Sequence, residues 1–176
     1  PCSTAWGREG PPSPHQCCAN LLTAACFAAI PCGSKASLAE LLRDDYLDAH
    51  ERHWEDAEYL FQAERLGNAD HLYGLSAECA LKAILARTKL SGPGLPRESR
   101  IHIDKLWDRF RSLAGDRDLS RYASMLPENN AFSDWQVAQR YWNRTSFARQ
   151  TVDNHRGAAE RVRNLLRVAE VDGLFQ

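Results

Sequence analysis

The clearest pattern of inward and outward positions lies at the end of the chain. Val152, His155, Ala159, Val162, Leu166 and Ala169 are separated by three or four residues in alternation, one stripe of an α-helix. Gly173 follows as a stop. Near the other end, Ser37 with Glu40 three residues later forms a capping box that predicts a helix start. The helical pattern continues to Leu66 through Leu38, Leu41, Leu42, Trp54, Ala57, Leu60 and Phe61, with room for a break at Asp44 to Asp48. Gly67-Asn68 reads as the end of that stretch, and a second helix is expected from Ala69 to Lys89. Ser91 to Pro96, SGPGLP, is a loop signal. Leu106, Phe110 and Leu113 predict a third helix over Ile103 to Leu113, broken by Gly115 to Arg117, and a short fourth covers Leu119 to Met125. Pro127 to Asn130 is another loop. Ser133 to Phe147 fits either a strand or an irregular connection, through Trp135, Val137 and Tyr141. No run of strands and no internal repeat emerges. The expected architecture is an all-α, up-and-down bundle of four to five helices.

Composition changes this picture mainly at the N-terminal end. The 176 residues suit one domain, and the 44% hydrophobic and 26% charged content is ordinary for a globular protein. Residues 1–36 have a different texture, rich in Pro, Gly, Ser and Cys, and hold five of the six cysteines. They are expected to be a poorly ordered or non-native extension, with the bundle occupying 37–176. A secreted disulfide scaffold would spread its cysteines through the fold. The spacing of His15, Cys17, Cys18, Cys26 and Cys32 matches no pair of zinc knuckles. The apolar run Ala19 to Ile30 has the length of a signal-peptide core but lacks clustered positive charge before it, and it is too short to cross a bilayer. A cytoplasmic protein with no metal, no cofactor and no membrane contact is the expectation.

Net charge is −1, which excludes a globally basic nucleic-acid binder. The charges are nevertheless segregated. Leu38 to Leu66 holds nine acids against Arg43, Arg52 and Arg65, whereas Arg140 to Val168 holds seven arginines against Asp153 and Glu160. The preferred reading is an acidic helix lying beside a basic one; a partner or nucleic-acid surface is the alternative.

Candidate chemistry is sparse. Glu78 and Lys82 stand four apart, in the favourable order for a helical pair, within an otherwise apolar stretch. Either the Lys stem carries its head to a helix rim, or the pair belongs to a dimer or ligand surface. The segment Trp54 to Glu58, WEDAE, followed by Ala69 to Lys82, ADHLYGLSAECALK, resembles the first helix pair of the HEPN (higher eukaryotes and prokaryotes nucleotide-binding) superfamily. His102 ahead of Leu106, Arg140-Tyr141 after a tryptophan and the long closing helix fit the same pattern over residues 46 to 172. The resemblance implies a helical bundle that commonly forms a homodimer. Active members are metal-independent endoribonucleases with an Arg-x(4–6)-His motif paired across the dimer. Other members bind RNA, nucleotides or partner proteins, often beside a nucleotidyltransferase in toxin–antitoxin or defence systems.

That chemistry needs a histidine able to move a proton and an arginine to stabilise phosphate charge. Five of the six histidines satisfy the spacing to some arginine, so spacing alone discriminates poorly. Arg140 best fits the family motif, yet Thr145, Ser146 and Phe147 stand where its histidine belongs. Arg149 and His155, opening the last helix, form the best surviving catalytic pair, with Arg140 assisted by a histidine supplied by the fold as the variant. His155 lies on the inward stripe and reads more readily as a packed core histidine. His50 and His53 read as surface histidines. Trp135, Tyr141, Trp142 and Phe147 interleave with Arg140, Arg144 and Arg149, the composition that base stacking and phosphate contact use and equally that of a loop pinned onto a bundle. Of these, Arg140, Tyr141, Trp142 and Arg144, together with Glu78 and Lys82, are the candidate binding residues. A binding module is therefore the first expectation and an endoribonuclease the second.

Overall fold

The computed structural model describes residues 45–88 and 95–176; the proposed capping box at Ser37 and the cysteine-rich segment lie outside these residues. The described residues belong to one compact unit, Leu42–Gln176. They form five α-helices: α1 (Tyr46–Gln62), α2 (Leu66–Arg87), α3 (Ile103–Ser112), α4 (Ser120–Met125) and α5 (Arg149–Val171). Short 3-10 turns cover Arg97–Ser99, Leu113–Gly115, Val137–Tyr141 and Arg144–Ser146. No strand occurs among the described residues, so the all-α bundle stands.

Helix α1 starts inside the Asp44 to Asp48 stretch, where the sequence has room for a break. Asp45 caps it, its carboxylate accepting from the Leu47 and Asp48 amides at 3.1 Å each, which satisfies two of the orphan donors of the first turn. Only Ala63 to Arg65 separate α1 from α2, with Glu64 in the left-handed region at φ 57°. The turn thus comes earlier than Gly67-Asn68. Gly67 lies inside α2, and its lack of a side chain serves packing: a Cβ there would fall 2.8 Å from the Phe147 ring. Gly74, about two helical turns further along, has the same purpose, since a Cβ there would sit within 3.0 Å of the Trp135 indole.

Helix α2 is the centre of the bundle. Ala69, Tyr73, Ala77, Ala80, Leu81, Ala83, Ile84 and Leu85 are buried, and so are the polar Asp70, Ser76 and Glu78. Small residues on several sides let α1, α3, α5 and the 131–147 connection all approach it closely. The α5 stripe packs inward as the spacing predicts, with Val152, His155, Ala159, Val162, Leu166 and Ala169 all buried.

The segregated charges face each other across the bundle. Arg149, Arg156 and Arg163, each seven apart on α5, reach Glu64, Glu58 and Glu51 of the first helical hairpin. The order shows that α5 runs antiparallel to α1. Their guanidinium groups lie over the rings between the acids: Arg149 and Arg156 over Phe61 at 4.5 and 5.4 Å, and Arg163 over Trp54 at 5.1 Å. Arg156 grips Glu58 with two parallel bonds, Nε at 2.6 Å and Nη2 at 2.9 Å, while the Tyr73 hydroxyl donates to the same carboxylate at 2.7 Å. The Arg156 bonds hold the Glu58 carboxyl below its usual range, outweighing its partial burial. Each rung combines a charge pair with cation–π contact.

The two helical glycines separate packing from propensity. Gly74→Ala is expected to cost about 1–3 kcal/mol through overpacking against Trp135. Gly157→Ala on α5, where a new Cβ meets nothing within 4 Å, is expected to stabilise by about 0.5–1 kcal/mol. Urea unfolding of the two variants beside the parent checks both signs.

Candidate functional site

The connection from Ala131 to Ala148 carries no long element, yet it is fastened at many points. Phe132 packs edge-on against Trp107 of α3 at 5.9 Å and stacks on the His155 ring at 5.1 Å. Trp135 enters the notch at Gly74, donates its indole N–H to the Asp70 carbonyl at 3.1 Å and lies parallel to the His71 ring at 5.5 Å. Gln139 gives its amide to the Asp70 carboxylate at 2.6 Å, and its own amide oxygen accepts from the Gln136 N–H at 3.3 Å, closing the first 3-10 turn. Phe147 seats on Gly67.

Asp70 is the hub of these contacts. Its side chain is 3% exposed, one oxygen taking the Gln139 amide and the other lying 2.6 Å from His155 Nδ1. The opposite ring nitrogen, Nε2, lies 2.9 Å from Asp134 on the connection. Two carboxylates facing the two ring nitrogens suit an imidazolium, which has two N–H donors. Burial by itself would lower the pKa of His155; the hydrogen bonds and negative charges of Asp70 and Asp134 outweigh it and hold the pKa above 6.5. His155 is thus enclosed, as its place on the stripe implied, and both its nitrogens are engaged.

Arg149 does not complete a catalytic pair with it. Its guanidinium is committed to Glu64, to Asp153 at 3.9 Å and to the face of Phe61, and no hydrogen bond joins it to His155. Arg140 and Tyr141 are exposed, with the guanidinium stacked 4.8 Å over the phenol ring. Tyr141 is 77% and Trp142 46% exposed, the only large aromatic rings besides Tyr59 so presented among the described residues. Asn143 caps the second 3-10 turn by accepting from the Thr145 N–H and Oγ1 at 3.0 and 2.9 Å, and exposed Arg144 projects from that turn. Arg140, Tyr141, Trp142 and Arg144 are therefore all exposed along one well-anchored segment, termed the ridge below.

The histidine electrostatically coupled to Arg140 is His71. Burial, then the Arg140 charge, depress its pKa, and its buried Nδ1 has no hydrogen-bond partner. Glu78 and Lys82 form a separate arrangement. Lys82 Nζ donates to one Glu78 oxygen at 2.6 Å, and His102, at the start of α3, faces the other at 3.1 Å. The Glu78 and Lys82 side chains are 8% and 12% exposed, so the pair is largely withdrawn from solvent. His50, expected at the surface, is instead 1% exposed. It bridges α1 to α2 through Nδ1, 2.9 Å from both the carbonyl and the hydroxyl of Ser76, and burial lowers its pKa. His53 is half-buried, also with a lowered pKa caused by burial. Burial pushes the Cys79 thiol up to about 11, away from nucleophilic reactivity.

Among the described residues no cluster of His, Cys, Asp and Glu could hold a metal ion, and no helix is long and apolar enough to cross a membrane. No protein-family model matches the chain, and no curated protein or solved structure shows significant similarity to it.

Sequence reasoning missed Asp70, Asp134 and Gln139, and it read Trp135 as a candidate stacking ring where the structure buries it as an anchor. The one available signal was an acid, Asp70, at an interior position of an apolar helix, the same kind of signal that marks Glu78. Removing one partner from a buried ion pair leaves the other charge uncompensated. Asp70→Ala is therefore expected to cost about 3–5 kcal/mol. The pair's contribution is present in full below about 6.5, the unfolded histidine value, and is lost as pH rises through the higher folded value of His155. The stability gap between parent and Asp70→Ala, measured by denaturant unfolding, should therefore narrow on going from pH 6 to alkaline pH.

Proposed function

We propose that this chain is a HEPN-like binding module that takes single-stranded RNA or a nucleotide on the ridge Arg140, Tyr141, Trp142 and Arg144, without cleaving it. The observation that carries this reading is the combination of heavy anchoring of the connection with two solvent-exposed aromatic rings on it, Tyr141 beneath the Arg140 guanidinium and Trp142 beside Phe147. Exposed aromatics cost solvation unless they serve a contact, and a fixed backbone presents them without an ordering penalty on binding. Bases stack on such rings while guanidinium groups meet the phosphates. The all-α bundle is consistent with the proposed family, as is a homodimer working beside a nucleotidyltransferase in a toxin–antitoxin or defence setting. The enzyme reading is weakened by the engagement of both nitrogens of His155 and by the pairing of Arg149 with Glu64.

One observation favours a second reading, a metal-independent endoribonuclease. Burial, and after it the Arg140 charge, depress the pKa of His71, which keeps its imidazole neutral as a base. The fold would then supply the histidine that the motif lacks.

Fluorescence anisotropy with mixed-sequence single-stranded RNA, duplex RNA and mononucleotides tests the first reading. Tyr141→Ala and Trp142→Ala are each expected to weaken single-strand binding by about 1–3 kcal/mol, roughly 5- to 150-fold. Arg144→Ala should reduce the salt dependence of binding by about one unit of slope. Absence of binding by the parent protein, or variants that bind as it does, would remove the ridge from consideration. Incubation with RNA in chelator addresses the second reading. Cleavage abolished by His71→Ala, Arg140→Ala or His155→Ala would replace the binding module with an enzyme.

A further inference from the structure

The Asp70–His155–Asp134 contact joins three elements, and its two halves differ in kind. Asp70 and His155 lie on packed helices, each with its side chain 3% exposed. Asp134 lies on the connection, and its side chain is 64% exposed. Asp134 is therefore a hook that reaches in from solvent and fastens the connection to α5. We propose that this hook is a proton-dependent latch: doubly protonated His155 holds Asp134 and the ridge-bearing connection closed, and loss of one ring proton releases that end of the connection.

The argument is one of donor counting. An imidazolium donates from both nitrogens, to Asp70 at 2.6 Å and to Asp134 at 2.9 Å. Neutral imidazole has a single N–H. Buried Asp70 cannot be left without that donor except at a high desolvation cost, so the remaining proton stays on Nδ1. Nε2 then turns a lone pair toward the Asp134 carboxylate, two acceptors in contact, and the exposed partner is the one free to leave. Water accepts the released Asp134 side chain at little cost. The groups facing the ring are Asp70 from α2 and Asp134 and the uncharged Phe132 ring from the connection. Across the Phe132 ring, α3 contributes Trp107, also uncharged. On α5 itself, the neighbouring Arg156 is turned to Glu58 and Asp153 to Arg149. Gln139 and the Trp135 N–H remain on Asp70 in either state, so release is local, at the Phe132–Asp134 end, and does not unfold the bundle.

The sign is opposite to that of an acid-triggered histidine switch. Closure holds while the ring is doubly protonated and Asp134 is ionised, and opening grows as pH rises through the His155 titration. A one-proton linkage limits the change to about tenfold in the open fraction per pH unit. The latch itself does not depend on what the ridge binds. If the ridge takes single-stranded nucleic acid, which is the reading proposed above, its affinity should fall in the same pH range.

Two substitutions at Asp134 give different outcomes for the same position. Asp134→Ala removes the acceptor and should leave the connection open at every pH. Asp134→Asn keeps it closed at every pH, because an amide accepts from imidazolium through Oδ1 and donates to the neutral ring through Nδ2. The exposed position makes either protein expected to fold. Nitrogen-15 NMR of the histidines in the full chain reads the protonation state of His155. Hydrogen exchange over residues 131–136, corrected for its intrinsic pH dependence, reads the latch. The expected result is protection that falls with the His155 titration in the parent, is low and flat in Asp134→Ala, and is high and flat in Asp134→Asn. Parent protection that stays constant through that titration would overturn the proposal, as would Asp134→Asn behaving like Asp134→Ala. Loss of RNA binding with an intact protection pattern would count against the ridge and leave the latch standing.

Discussion

A carboxylate in the middle of a bundle must be neutralised or it will not stay there. Asp70 is placed on the central helix, and its neutralisation organises what surrounds it. One oxygen requires a cation, which draws His155 of α5 against α2. The other requires a donor, which draws in Gln139, and the backbone carbonyl of the same residue receives the Trp135 indole. Three demands of one residue thereby fix a helix and a connection that has no hydrogen-bond ladder of its own. Apolar packing alone would hold the connection against α2 with no preferred register. The polar contacts select one, since every buried donor or acceptor left unpaired costs on the order of 1–3 kcal/mol.

The second organising element works at the rim. The arginines at 149, 156 and 163 recur every seven residues, as do Trp54 with Phe61 and Glu51 with Glu58. Each arginine covers an aromatic face with its guanidinium plane and finds an acid beyond it. Isolated surface ion pairs contribute little, but these are flanked by rings and arranged as a ladder along antiparallel helices, with the middle rung, Arg156–Glu58, partly withdrawn from solvent. They consume three of the seven arginines between Arg140 and Val168. The local basic excess that suggested a nucleic-acid surface is thereby reduced to a few residues, among them Arg140 and Arg144 on the ridge.

Much of the fold was legible because helical periodicity reports burial directly. The α5 stripe, the α3 residues Leu106 and Phe110, and the short helix after Leu119 all appear where spacing places them. Two misreadings share one cause. Gly67 reads as a stop signal and 133–147 as a segment of uncertain type, and these are two sides of one fact: glycines on α2 exist to admit Phe147 and Trp135 from that segment. A glycine whose reason lies in a segment so distant along the chain carries no local mark of it. The site suffered in the same way. Tyr141, Trp142, Arg140 and Arg144 could be picked out by type, since aromatic and arginine residues in alternation are visible in one dimension. Asp70, Asp134 and Gln139, which hold them in place, are ordinary residues whose roles arise only when three distant segments meet.

The histidines show how far residue type falls short of chemical role. His155 satisfies the spacing expected of a catalytic histidine, and the bundle encloses it between two carboxylates that favour its protonated form. His50 reads as a surface residue from its acidic neighbours, and the bundle places it inside, neutral, bonded to Ser76. His71 carries no distinguishing mark in the sequence and ends half-buried, with an unpartnered nitrogen, under the influence of Arg140. A buried ring between carboxylates is favoured as a cation, whereas one enclosed by apolar side chains or crowded by arginine is favoured neutral. The fold therefore displaces the pKa of His155 upward and those of His50 and His71 downward within one small bundle. Any pH dependence of this protein is a balance of opposed terms, with the proton on His155 favouring the closed connection and protons on His50 and His71 resisted by burial. The geometry around His155, with one carboxylate fixed and the other at the surface, decides which element of the structure gives way first.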